Sequence, residues 1–157
     1  MKSRLVASAA LSALVLLGAT GCTFISPQAT TIEYSASDGV NVSDSDGPLD
    51  VRNVFIVATE DGSVGNLVAA IVNPTSERAT LTISFQDIEP LTVTVPANGR
   101  VSLGADAEPL RIVDLDAMPG STIDIHFQSG DATGVTTAVP VLDGSLSYYK
   151  DLVPEED

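Results

Sequence analysis

The residues of this chain that could carry chemistry are few and widely spaced. The sequence has one cysteine, Cys22, one histidine, His126, and a single methionine beyond Met1, which is Met118. A thiolate is a nucleophile, an imidazole titrates near neutral pH, and thioether and imidazole groups both bind copper. Polar and apolar residues alternate around His126, and this pattern predicts a strand with His126 and Asp124 on its polar side. We therefore expect a solvated surface histidine, with a weak metal site on Met118 and His126 as the alternative.

Cys22 stands after an apolar run that opens with two positive charges. Lys2 and Arg4 precede an apolar stretch from residue 5 to residue 18, which is the layout of a secretory signal. The four residues 19–22, Ala-Thr-Gly-Cys, resemble the lipobox of bacterial lipoproteins, although Ala19 stands where that motif usually has Leu, Val or Ile. The resemblance implies cleavage between Gly21 and Cys22 and attachment of a diacylglycerol to the Cys22 thiol.

Two other interpretations of this start remain open. Cys22 is an ordinary small residue if the signal peptide is cut elsewhere, or the run is a membrane helix. A spanning helix needs about 20 apolar residues, whereas the run over 5–18 is shorter and includes Ser8 and Ser12. We expect a lipid-anchored protein on the outer face of the cytoplasmic membrane, with the lipid bilayer as one partner through Cys22 and an envelope protein as another.

The charge of the chain excludes one class of partner. The formal net charge is −14, and it becomes −16 after cleavage because Lys2 and Arg4 are lost and all 21 acidic residues remain. Phosphate backbones and anionic headgroups repel such a surface. We expect no nucleic-acid binding, and a negative field that favours cations, basic partners or solubility.

The acidic residues offer two weak candidate sites. Asp44, Asp46 and Asp50 supply the oxygen ligands that Ca²⁺ prefers, but their spacing is not that of an EF-hand loop. Asp114 and Asp116 flank a single leucine, and an acid–base pair would need a cleft that shifts one pKa. A hydrolase would also need a nucleophile on a constrained turn, and the mature chain has no Gly-x-Ser-x-Gly motif. We expect solvated carboxylates, no cofactor and no enzymatic activity.

Composition divides the chain into four parts. They are a signal peptide over 1–21, the lipidated Cys22 with a flexible Ser/Thr/Asp-rich tether over 22–48, a β-domain over 49–142, and an acidic C-terminal tail over 143–157. The tail includes Tyr148 and Tyr149, which we expect to dock on the protein's own domain rather than on a partner.

The β-domain is recognised by apolar residues at every second position, the period of a half-buried strand. Such alternation occurs over 80–85, 91–95, 101–103, 122–128 and 133–141, while 51–58 and 66–72 are apolar on both faces and are predicted to be central strands. Residues 110–118 are the one candidate helical turn. About seven strands predict an all-β fold, an immunoglobulin-like or cupredoxin-like antiparallel β-sandwich, with a small barrel as the alternative.

The order of features in this domain resembles the PCu(A)C-type periplasmic copper chaperones, as found in actinobacterial lipoproteins. The resemblance spans about 49–142 and rests on five segments: 51–53, 67–73, the Val-Pro-Ala-Asn-Gly-Arg-Val-Ser-Leu run over 95–103, Met118 to Ser121, and 139–141. It implies the fold of that family. Function in the family depends on a His-x-Met pair after the turn, where this chain has Ala107-Glu108-Pro109-Leu110 instead. We expect a structural or interaction module, and the alternative is copper handling with a degenerate ligand set.

Overall fold

The structure, a computed structural model, describes Val6 and residues 37–155. The chain divides into two compact units, Met1–Tyr34 and Ser35–Asp157. Of the first unit only Val6 is described, so the predicted signal peptide, the cleavage site at Gly21 and the lipidated Cys22 lie outside the described residues.

The described residues of this unit form eight strands, followed by a short 3₁₀ helix. The strands are β1 (Asp50–Ala58), β2 (Val64–Val72), β3 (Ala79–Ser84), β4 (Leu91–Val95), β5 (Arg100–Leu103), β6 (Leu110–Val113), β7 (Thr122–Ser129) and β8 (Val135–Leu142), and the 3₁₀ helix is Lys150–Leu152.

The strands form two sheets that share β8. Their order is β4-β3-β7-β8-β1-β2-β5, and β6 pairs with β2 beside β5. The first part of β8 pairs with β7, and its end pairs with β1 through Ile56–Val141 and Val57–Leu142. All pairings between strands are antiparallel except this last one, which is parallel. The predicted all-β, cupredoxin-like fold is confirmed, with eight strands between residues 37 and 155 rather than about seven.

The core lies between the two sheets and consists mainly of aliphatic side chains. Each strand turns alternate residues inward, and Ile56, Leu67, Ile83, Ile125 and Phe127 are almost completely buried. Burial of one such side chain stabilises the fold by about 1.5–3 kcal/mol. Packing of these side chains therefore stabilises the described part of the domain.

One predicted element is wrong. Residues 110–113, expected in a helical turn, form the strand β6, which pairs with the first half of β2 from Val64–Val113 to Leu67–Leu110. The strand has four residues, too few for its alternation of Leu110 and Ile112 with Arg111 to distinguish a strand from a helical turn, and only Ile112 of it is buried. Pairing with a long central neighbour determines its conformation instead.

The segment ahead of β1 also differs from expectation, because part of the predicted tether is packed on the sandwich. The backbone groups of Val40 and Val54 exchange hydrogen bonds, and the side chain of Val42 is 4% exposed. A bulge in β1 makes this possible: Asn53 adopts φ 50° and accepts the Gly39 N–H on its side-chain oxygen. Asparagine tolerates this left-handed conformation better than most residues.

Candidate functional site

The outer face of β1 and β2 is covered by the segment that follows β8. Phe55, Val57 and Val68 form a second buried cluster there with Tyr149. The Phe55 and Tyr149 rings lie 5.2 Å apart between centroids. This cover explains why β1 and β2 are apolar on both sides: one side faces the core and the other faces the C-terminal segment. The expectation that the tyrosines dock on their own domain is confirmed for Tyr149.

Polar contacts fix this C-terminal segment along its length. The Tyr149 hydroxyl donates to Oδ2 of Asp38, the Asn66 side-chain amide donates to the Leu152 carbonyl at 2.9 Å, and Arg111 donates to the Glu155 carbonyl at 2.9 Å. Burial, followed by the contact with Asp38, raises the pKa of Tyr149 well above its ordinary value. The phenol is therefore a neutral donor at all physiological pH values. The predicted tail is part of the folded domain up to residue 155.

Two adjoining hollows lie beside this segment, and together we call them the C-terminal groove. The larger, of about 640 Å³, is lined among others by Glu60, Met118, Pro119, Asp143, Ser145 and Val153. The smaller, of about 230 Å³, is lined among others by Asp38, Gly120, Leu142, Asp143, Leu146 and Tyr149. Asp143 lines both hollows, so they meet at this residue.

The groove is negatively charged. Asp38, Glu60 and Asp143 line it, and neither hollow has a lysine or arginine in its lining. Hydrogen bonds from the Ser145 hydroxyl and backbone N–H lower the pKa of Asp143, which is therefore ionised at neutral pH. Within the described residues the ion pairs are Asp50–Arg52 and Arg100–Asp106, and neither involves a carboxylate of the groove.

Apolar side chains are exposed at the same place. Met118 in the larger hollow is 56% exposed, Leu146 in the smaller is 47% exposed, and Tyr148, in edge contact with Tyr149, is 61% exposed. Single exposed apolar residues are normal on a protein surface, whereas a group of them marks a contact site. The groove thus combines apolar walls with carboxylates.

His126 lies away from the groove. It is in the middle of β7, where its backbone faces Thr136 of β8 and Ser84 of β3, and its Nδ1 lies 3.1 Å from the Thr136 hydroxyl. The ring is half-buried on the polar face of the sheet, as the alternation predicted. At about 3.3 Å per strand residue, His126 is about 13 Å along β7 from Thr122, while Met118 lies in the turn ahead of that strand. The structure does not bring Met118 and His126 together.

The acidic residues that were candidate sites have local structural roles. Asp44 accepts the Asp46 backbone N–H at 2.9 Å, and Asp50 pairs with Arg52. Asp114 and Asp116 have φ values of 57° and 49° and are exposed on either side of the buried Leu115. Their left-handed backbone lets Leu115 enter the core while its N–H donates to the Ser63 carbonyl at 2.9 Å. Over 37–155, no three His, Cys, Asp or Glu side chains are grouped closely enough to hold a metal ion.

No sequence pattern indicates the groove residues Glu60, Asp143 and Leu146. One sequence feature points to this region: strands that are apolar on both faces need a second cover, and Tyr149 and Leu152 in the tail supply it.

Gly21 and Cys22, the predicted processing site, lie outside the described part of the chain. None of the helices in the described part is long and apolar enough to cross a membrane.

Comparison with solved structures gives a likeness of fold. The apo PmoF2 PCuAC domain superposes with a TM-score of 0.56 at 15% sequence identity, and the match covers 68% of this chain and 97% of that domain. The apo PCuAC domain from PmoF1 gives a TM-score of 0.52 at 15% identity, covering 64% of this chain and 97% of that domain. No family model and no curated protein matches the sequence.

The resemblance to the copper-chaperone family inferred from sequence is therefore supported at the level of the fold. The copper ligands that the resemblance implies do not fit this chain. The β5–β6 connection carries Glu108 and Pro109 in place of a His-x-Met pair, and the remaining imidazole and thioether, His126 and Met118, lie in different parts of the domain. The described part of this protein thus has a fold similar to that of the PCuAC domains and, on its surface, an acidic groove with apolar walls.

Proposed function

We propose that the protein is a lipid-anchored, non-enzymatic interaction module on the outer face of the cytoplasmic membrane, where it contacts another envelope component. The sequence around Cys22 supports the anchor and the location. His126, the one imidazole of the sequence, contacts Thr136 on a sheet face and lines neither hollow of the groove, which favours binding over catalysis there.

The observation that carries the proposal is the C-terminal groove. Exposed Met118 and Leu146 lie in it beside ionised Asp143, and it is built on a segment held by Asp38 and Asn66. A backbone that is fixed by hydrogen bonds and apolar side chains that are exposed along a groove are properties of a preformed binding surface.

The anchor is tested by Cys22→Ser, with Thr23→Ser as the matched control. Wild type and the control should incorporate radiolabelled palmitate and be cleaved ahead of residue 22, while Cys22→Ser should stay unlabelled and uncleaved. Normal labelling of Cys22→Ser would refute the assignment.

Copper handling is the second candidate, and the fold of the PCuAC domains favours it. The separation of Met118 from His126 argues against one shared site. Titration of the protein with Cu(I) and Cu(II) distinguishes the candidates: copper handling requires sub-micromolar binding that is lost in His126→Ala or Met118→Leu. We expect both substitutions to leave copper affinity unchanged.

A further inference from the structure

The walls and the charge of the C-terminal groove indicate what it binds. We propose that the groove docks a peptide segment of a partner protein that carries both cationic and apolar side chains. This inference rests on the proposed function and names the chemistry of the partner.

The groove is complementary in charge to a cationic segment. Glu60 and Asp143 line the larger hollow, and Asp38 and Asp143 the smaller, without a basic residue in either lining. The lowered pKa of Asp143 agrees with a carboxylate that stays ionised. With a net charge of −14 for the whole chain, the surrounding field adds to the attraction of a cation.

The groove also offers apolar side chains for contact with a ligand. Met118 and Leu146 are exposed by about half, and methionine adapts to irregular apolar partners. A small cation such as Ca²⁺ would leave these walls in water, and a purely apolar ligand would desolvate the carboxylates without compensation. A peptide that alternates lysine or arginine with leucine would pair with the carboxylates and cover the apolar walls.

The other occupants are less compatible with the charges. A second copy of this chain would bring another acidic surface against the groove, and an anionic bilayer would be repelled. A cationic segment is attracted at distances up to the Debye length of about 8 Å at physiological salt.

The test is the binding of fluorescent eight-residue peptides to the full-length protein in a non-ionic detergent, with micelles alone as blank. A Lys/Leu peptide should bind, and Glu/Leu and Lys/Ser peptides should bind at least about tenfold more weakly. Glu60→Gln with Asp143→Asn should weaken Lys/Leu binding about fivefold to tenfold, and Leu146→Ser should weaken it by a similar factor.

Matched control variants distinguish binding in the groove from the effects of net charge and of surface hydrophobicity. Glu108→Gln with Asp131→Asn removes the same charge elsewhere, and Val113→Ser removes an apolar side chain that is 54% exposed on β6. Both should bind the Lys/Leu peptide as wild type does, and thermal melting should show all variants folded.

Several results would overturn the proposal: equal losses in the control variants, equal binding of the Lys/Ser peptide, Ca²⁺ binding without peptide binding, or concentration-dependent dimers that Leu146→Ser abolishes. None of these readouts involves Cys22 labelling, so failure of the peptide proposal and failure of the anchored-module proposal remain distinguishable.

Discussion

The Tyr149 hydroxyl donates a hydrogen bond to the Asp38 carboxylate, so a residue beyond β8 is held by a residue ahead of β1. Tyr149 is 6% exposed and packs on Phe55, whereas Asp38 is exposed at the rim of the groove. The contact therefore connects the flanking segments of the sandwich and keeps the outer face of β1 and β2 covered.

Substitutions at Tyr149 should separate the ring from the hydroxyl. Tyr149→Phe leaves Asp38 in water and should lower the free energy of unfolding by about 1 kcal/mol. Tyr149→Ala should lower it by about 3 kcal/mol because the buried cluster with Phe55 loses its aromatic member. Urea denaturation measures both. The neighbouring Tyr148, 61% exposed, provides the control: Tyr148→Ala should change stability by less than about 0.5 kcal/mol. Equal effects at the two positions would contradict the description of this contact.

The loop between β1 and β2 should show a strongly acidic carboxyl group. Asp61 accepts hydrogen bonds from the Thr59 hydroxyl at 2.6 Å and from the Ser63 N–H at 3.0 Å, and these bonds lower its pKa to about 2. Since the folded pKa lies below the unfolded value of about 3.9, the stabilisation is present above that pH and is lost as the pH falls toward 2.

Side-chain carboxyl NMR titration measures this pKa directly. Wild type should titrate at Asp61 with a midpoint near 2, and Thr59→Val should move the midpoint upward because the largest contribution to the shift is removed. An ordinary Asp61 midpoint in wild type would refute the hydrogen-bonded loop.

Asn73 should be one of the most sensitive polar positions of the domain. Its buried side chain donates to the Glu77 carbonyl at 2.7 Å and the Pro96 carbonyl at 3.1 Å, and accepts the Thr75 N–H at 3.0 Å. Asn73→Ala leaves these groups without partners and should cost about 3 kcal/mol. Asn73→Asp keeps the acceptor but loses the donors, so it should be destabilised as well. A cost of Asn73→Ala below about 0.5 kcal/mol in chemical denaturation would contradict the network.

Most strands could be predicted from sequence, either from apolar residues at every second position or, for β1 and β2, from runs that are apolar on both faces. Leu91–Val95 and Thr122–Ser129 alternate strictly, and the structure has strands there. Strand β6 could not be predicted, since it has one buried residue and owes its conformation to β2. The packing of Val40 and Val42 depends on a bulge at Asn53, and a bulge leaves no clear periodic signal.

The candidate site likewise includes features that could be predicted from the sequence and features that could not. Alternation along β7 predicts that His126 lies on the polar side of the strand, and the structure has its ring there, half-buried beside Thr136. The groove joins Glu60 of one loop, Met118 of another and the segment after β8. No local pattern in the sequence relates these residues. The two loops meet through the Ala117 N–H, which donates to the Gly62 carbonyl at 3.1 Å, and the docking of Tyr149 adds the segment after β8.

Site-specific photocrosslinking in living cells tests the central claim of an anchored interaction module most directly. A photoreactive phenylalanine analogue is placed at Tyr148, which is exposed beside the groove, and for comparison at Thr94, which is exposed on β4. We predict one discrete protein adduct from position 148, its loss in the Cys22→Ser background, and no adduct from position 94. No adduct from position 148, or the same adducts from both positions, would contradict the account.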